Sequence, residues 1–301
     1  MASFTLENFN IYDLSLFVGV GFLCLVGLMI HSFIASVSVM DWLKKRQMNA
    51  VDQVITALSV FRVLFQVSNM TRMLLKLFNQ RTLIIRILLG WSTFSLIMTS
   101  YCNIYLSALL SAVFCFKVCS FHNVIFQCLK KLIVQRLGCV IVASMLVSLL
   151  LGSFVIYELI LDQYSNVTNE RIETRYTYYA TIVNFVPFFV QVFSSISLIV
   201  FLHLHLRKMK STSNLNVQLD PIYHVLKGIA FCFLTYFVQI LCDLLTAYFY
   251  TSLSTIVAFI IWNACPCVHS IYLIRTTTRL RNHFSRIPCW GTNSLFKRRA
   301  P

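Results

Sequence analysis

The sequence predicts an all-α membrane protein, a seven-transmembrane helix bundle with a short cytoplasmic amphipathic tail helix. Three observations carry this. Apolar residues make up 58% of the 301 positions and charged residues only 12%, against about 25% charged in ordinary soluble domains. Between Asp243 and Arg275 lie 31 residues without one Asp, Glu, Lys or Arg, and about 20 apolar residues suffice to cross hydrocarbon. Basic residues, finally, recur in every second link.

Charge-poor windows mark the spans in order, at 14–40, 51–75, 87–116, 137–157, 177–206, 228–250 and 251–274. The first follows a leader without a basic stretch, Met1 to Glu7, so it is read as a true span rather than a cleaved signal. The second is interrupted by Arg62 and Arg72. The fifth and seventh carry Pro187 and Pro266, which remove backbone donors and kink helices. The sixth and seventh form one apolar run with a short link near Tyr250. Beyond them, Thr276 to Arg286 suits a basic amphipathic helix on the membrane surface. The chain divides into a seven-helix transmembrane domain, 1–276, and a basic cytoplasmic tail, 277–301.

The links set the orientation. Lys44, Lys45 and Arg46 follow span one; Lys130, Lys131 and Arg136 follow span three; Arg207, Lys208 and Lys210 follow span five. Against them stand Glu7, Asp13, Glu158, Asp162, Glu170 and Glu173 on the other side. The positive-inside rule therefore puts the N-terminus outside and the C-terminus in the cytoplasm; the expected location of this multi-pass chain is the plasma membrane. Lys76, Arg81 and Arg86 disobey, as interfacial snorkelling or as a basic rim for acidic ligands. The net charge of +15 is spread over cytoplasmic links, which suits anionic lipid and a cytoplasmic partner rather than nucleic acid.

Asn166-Val167-Thr168 is a glycosylation acceptor on the predicted outer side, whereas Asn69-Met70-Thr71 lies inside span two. The 11 cysteines avoid the outer loop 158–176 and read mostly as small buried hydrophobes. Cys289 is a candidate palmitoylation site. Cys265 with Cys267, and His203 with His205, have no metal-site spacing, so neither metal nor cofactor is expected. A nucleotide loop, a Ser/His/Asp arrangement, an intramembrane carboxylate pair and an internal repeat are all missing. Enzyme chemistry is not indicated, and transporters concentrate acids and broken helices at mid-membrane.

What remains is a set of polar residues deep in apolar helices. Arg62 leads, because a cation there is costly unless neighbouring helices engage it. His31, Ser59, Asn103, Asn184, Gln191, Gln239 and Asn263 are further candidates for an inner network. Seven spans, kinks in spans five and seven, and basic inner links fit a G protein-coupled receptor, a bistable bundle biased by an outer ligand.

Specific strings then matter. Asp41-Trp42-Leu43-Lys44-Lys45-Arg46 and the segment from Val51 to Arg62 open the comparison. They are followed by Val113-Phe114-Cys115-Phe116-Lys117-Val118-Cys119-Ser120-Phe121, and by Pro187-Phe188 with His205 and Met209. Asp220-Pro221, His224, Lys227 and Tyr236 continue the order, and Pro266, His269-Ser270, Leu273-Ile274 and Arg279-Leu280-Arg281 end it. In order and spacing the chain resembles the type 2 taste (bitter) receptor family along nearly its whole length. It departs at His31, where the family usually has Asn, and at Phe114, where a Tyr is usual. Leu96 and Ser100 stand where many members place a Trp and an Asn.

The resemblance implies a receptor for small, mostly hydrophobic bitter compounds, coupled to a heterotrimeric G protein of the gustducin-like or another inhibitory class. By position it implies a ligand pocket of Met73, Leu96, Ser100, Gln239, Phe259 and Trp262. Arg62, Tyr236, Pro266, His269 and Ser270 would form the switch and inner network. Phe114, Lys117, His205, Lys227 and Arg279 would face the G protein, and Asn166 would carry the outer glycan. A vomeronasal type 1-like pheromone receptor and a small polytopic transporter are the alternatives.

Overall fold

In the computed structural model the backbone is described for residues 11–46, 48–76, 82–119, 124–164, 169–212, 220–248 and 252–286. Side chains are described for most of these. Among the described residues the helices are α1 (Ile11–Lys45), α2 (Ala50–Lys76), α3 (Leu83–Val118), α4 (Val124–Gln135) and α5 (Leu137–Tyr164). They continue with α6 (Asn169–Thr212), α7 (Asp220–Tyr248), α8 (Ser252–Thr276) and α9 (Thr278–Phe284). Each of the seven expected spans falls on one long helix. Within α1, α2, α3, α5 and α6 the described residues are long and apolar enough to cross a membrane.

The bundle is apolar on the outside as well as the inside. Phe22, Met29, Trp91, Leu150 and Phe193 are exposed on helix faces, as a lipid-facing surface requires, since lipid tails are as apolar as leucine. The polar residues turn inward instead: His31, Gln66, Asn263 and Ser270 are buried. Helices suit this setting, since they pair most backbone groups within each segment, as hydrocarbon demands.

Chain ends of the helices follow local chemistry. Arg46 takes a left-handed conformation, φ 54°, just past α1, its amide bonds back to Trp42 O at 2.8 Å and its guanidinium lies over the Trp42 ring. A residue in this conformation closes many helices, although glycine is the usual occupant. Extended Thr82 and Cys119 bracket α3.

The order of packing makes α3 the hub, touching α2, α4, α5 and α6, while α8 lies between α1 and α7. The largest apolar cluster gathers Ile34, Leu58, Leu106, Leu110, Val113, Leu273 and Leu280 from α1, α2, α3, α8 and α9. It sits at the end of the bundle where Lys45, Lys117, Arg275 and Arg279 converge, hereafter the basic end.

Two features differ from the sequence reading. The link after span three contains α4, whose Phe126 packs on Phe116 at 5.1 Å between ring centroids and whose Ile133 joins the main cluster. Phe126 and Ile133, seven residues apart, share one helical face, a period hidden by the neighbouring Lys130 and Lys131. The tail helix α9, in turn, folds back under the bundle. Leu280 is fully buried and Phe284 meets Phe33 edge-on at 5.6 Å. Leu280 therefore joins the core, and the basic residues around it stay at the rim.

Candidate functional site

The polar interior is built on one face of α2. Ser59, Arg62, Gln66 and Asn69 fall at i, i+3, i+7 and i+10, so a single stripe of the helix is polar. All of them are buried. Facing them on α8 are Asn263, Pro266, Cys267 and Ser270, again on one helical face.

At the part of this seam farther from the basic end, Asn69 Nδ2 donates to Asn263 Oδ1 at 3.1 Å and to Cys24 Sγ at 3.4 Å. The Cys24 thiol donates to the same Asn263 Oδ1 at 3.3 Å. The Asn69 sequon is thus engaged in the core. Close packing here needs Gly27, because a Cβ at that position would lie 2.7 Å from Gln66 Nε2 and 2.9 Å from Cys267 Sγ.

Two turns deeper, Arg62 Nη1 donates to Ser270 Oγ at 2.7 Å and to Pro266 O at 3.4 Å. The cation thereby ties α2 to the kinked segment of α8. A small cavity of about 30 Å³ adjoins it, lined by Arg62, Gln191, Tyr236, Gln239, Pro266 and His269 among others. Tyr236 is buried and packs with Tyr101, Ile104 and Ile240.

Below lies a much larger cleft of about 1350 Å³, open at the basic end. Phe114, Lys117, Lys227 and Arg279 line it together, and His269 reaches its inner wall. Its rim is fastened by α9. Arg279 pairs with Asp41 at 3.4 Å and with Asp52 at 3.3 Å, and Nη2 donates to Ser38 Oγ at 3.0 Å. His283 lies 3.6 Å from Asp41. His205 lies apart from the cleft: it is exposed, its ring parallel to Phe201.

The residues expected to bind ligand are more dispersed. Gln239 lines the small cavity. Leu96 is buried on α3, and Met73, Ser100 and Trp262 are half-buried on α2, α3 and α8; none of these four lines either cavity. Phe259 lies in α8 with its side chain outside the described residues, and Asn166 lies outside them altogether.

Sequence reasoning missed Gln66, Cys24 and Cys267 as members of the interior and read Asn69 only as an unusable sequon. The signal was present on α2, since Arg62, Gln66 and Asn69 recur at helical spacing on the side of the lone cation.

The family model described as Taste receptor protein (TAS2R) matches residues 9–292. Taste receptor type 2 member 140 of Rattus norvegicus is 28% identical over 291 residues, covering 90% of this chain and 92% of the relative. Taste receptor type 2 member 103 of Mus musculus is 25% identical, covering 88% and 89%. Taste receptor type 2 member 64 of Pan paniscus is 26% identical, covering 87% and 89%. With the family model matching residues 9–292 and these relatives covered over about nine-tenths of their length, the chain belongs to the type 2 taste receptor family.

Proposed function

We propose that the chain is a bitter taste receptor that binds small, mostly hydrophobic compounds in the outer half of the bundle and activates a heterotrimeric G protein of the gustducin-like or another inhibitory class. The basic end faces the cytoplasm of a plasma-membrane protein, the N-terminus lies outside, and the outer loop is glycosylated at Asn166. Residues 1–276 form the receptor and 277–301 its basic tail, which also meets anionic lipid.

One observation carries the reading. The Arg62 guanidinium is tied to Ser270 and to the carbonyl of Pro266, immediately above a cleft whose mouth holds Phe114, Lys117 and Lys227. A shift of α8 about Pro266 would change both the Arg62 contacts and the width of the cleft. An outer ligand touching Trp262, one turn before the proline, would bias that shift. Trp262, Leu96 and Met73 supply the apolar walls, with Gln239 and Ser100 as polar anchors, which suits a small-molecule site.

The test is a cell assay in which the full chain, coupled to a promiscuous G protein, meets a broad panel of bitter compounds. The expected result is a calcium response to a subset of the panel. Silence across the panel, with surface expression verified, would overturn the reading.

A further inference from the structure

Arg62 is 5% exposed, and among the described residues its hydrogen bonds run from Nη1 to neutral acceptors on α8. Its Nε is buried with no acceptor. Among the described residues no carboxylate forms an ion pair with it. Asp41 and Asp52 at the basic end belong to Arg279, and Asp52 starts ten residues away on the same helix, about 15 Å along its axis. A desolvated cation costs several kcal/mol unless a counter-charge or a dense hydrogen-bond shell compensates. Two neutral acceptors on one nitrogen are a thin shell. Among the described residues the counter-charge is missing.

The small cavity next to it has the matching shape and chemistry. At about 30 Å³ it holds one or two water-sized particles, because roughly 10–15 Å³ of such volume is enough for one water. Its polar lining consists of the Arg62 cation and neutral groups, among them Ser107, Gln191, Thr235, Gln239 and His269, with no carboxylate. Hydroxyl and amide N–H groups donate to an anion as readily as to water. Gln191, 4% exposed, also lines this space, and its amide nitrogen carries two N–H donors. The positive charge, with no acid among the described lining residues to offset it, disfavours a metal cation here.

A route to the cavity exists as well. Ser107, Gln191, Cys232 and His269 line both the small cavity and the large cleft, so the two spaces share a wall. The cleft carries Lys45, Lys117, Lys227, Arg275 and Arg281. Clefts dominated by one sign of charge concentrate small ions of the opposite sign.

We propose that Arg62 holds a monatomic anion, chloride under ordinary conditions, in the cavity where α2, α3, α6, α7 and α8 meet, reached through the basic cleft. The ion completes the shell of a cation that ties α2 to α8, and therefore stabilises the arrangement in which α8 is fastened at Ser270. This assignment stands apart from the bitter-ligand reading and needs no agonist to test.

The experiment uses the full-length protein purified in detergent. Melting is followed at constant ionic strength while chloride replaces gluconate, which is too large for the cavity. A saturable rise in Tm of a few degrees with chloride or bromide is expected, as for a ligand that binds only the folded state. Chloride-35 NMR should show line broadening that bromide competes away. Arg62→Gln should abolish both effects. Should that variant fail to fold, Ser107→Val narrows the cavity from α3 without touching Arg62 or Ser270, and it should weaken the anion response at least tenfold. Equal melting in chloride and gluconate without competed broadening would mean that water alone fills the cavity, and the proposal falls. It falls equally if Ser107→Val keeps the whole anion response, for the ion then binds elsewhere.

Discussion

Arg279 of the tail helix reaches Asp52 at the start of α2, with Nη1 3.3 Å from Oδ2, and the same side chain spans to Asp41 at the end of α1. One guanidinium thus joins three helices at the rim of the large cleft. The groups are 14–21% exposed, so solvent still screens them. Exposed pairs contribute about 0.2–1 kcal/mol, and networks exceed that only modestly. Arg279→Ala should therefore lower stability by about 1 kcal/mol, read as a shift of a few degrees in a detergent melt. Neutralising Asp41 and Asp52 together in the Arg279→Ala background should add little. An additive loss would show that the three residues do not act as one unit.

Leu280 sets a larger effect. It is fully buried among Ile34, Leu58 and Leu273, and truncating such a side chain costs about 2–5 kcal/mol. Leu280→Ala should destabilise the whole bundle more than Arg279→Ala does, although it lies in the tail. A melting temperature equal to that of the parent would mean that α9 does not dock.

Gly228 on α7 faces Tyr272 on α8 so closely that a Cβ would overlap the tyrosine hydroxyl. The clashing atom is the far end of a side chain that already lines the cleft. Gly228→Ala should therefore fold and push the phenol into the cleft mouth. In a dose–response assay with any active compound, maximal signalling should fall with little change in the half-maximal concentration. Surface staining checks expression, and a selective shift in half-maximal concentration would count against this placement.

Asn69 and Asn263 supply a measure of the interior hydrogen bonds. Interhelical bonds in membranes average about 0.6 kcal/mol and reach about 1.7, and the shared Cys24 thiol favours the upper part of that range. A double-mutant cycle with Asn69→Leu and Asn263→Leu should return a coupling of about 1 kcal/mol. The single changes should cost more than the cycle implies, because each strands a buried partner. Full additivity would exclude a direct bond.

Much of the fold was legible before any coordinates. The seven spans map onto seven long helices, and the short tail helix lies where Thr276 to Arg286 predicts it. Of the expected inner polar residues, His31, Ser59, Asn103, Asn184, Gln191 and Asn263 are buried, whereas Gln239 is half-buried. What escaped were elements whose signal is two-sided. In α4, Lys130 and Lys131 mask the apolar face of Phe126 and Ile133. Cys24 and Cys267 look like any small hydrophobe until their thiols meet Asn263.

By itself, the sequence determined the number and order of the long spanning helices, the clustering of basic residues at one end and the depth of Arg62 in α2. Hydrocarbon imposes those features residue by residue, since every charged or unsatisfied group within it is penalised where it stands. Only the tertiary structure decided that Arg62 meets Ser270, 208 positions away, that Arg279 turns back to Asp41 and Asp52, and that the interior cation has no carboxylate partner among the described residues. The physical reason is that periodicity reveals which face of a helix is buried, whereas the neighbour that face meets depends on how all the helices pack at once.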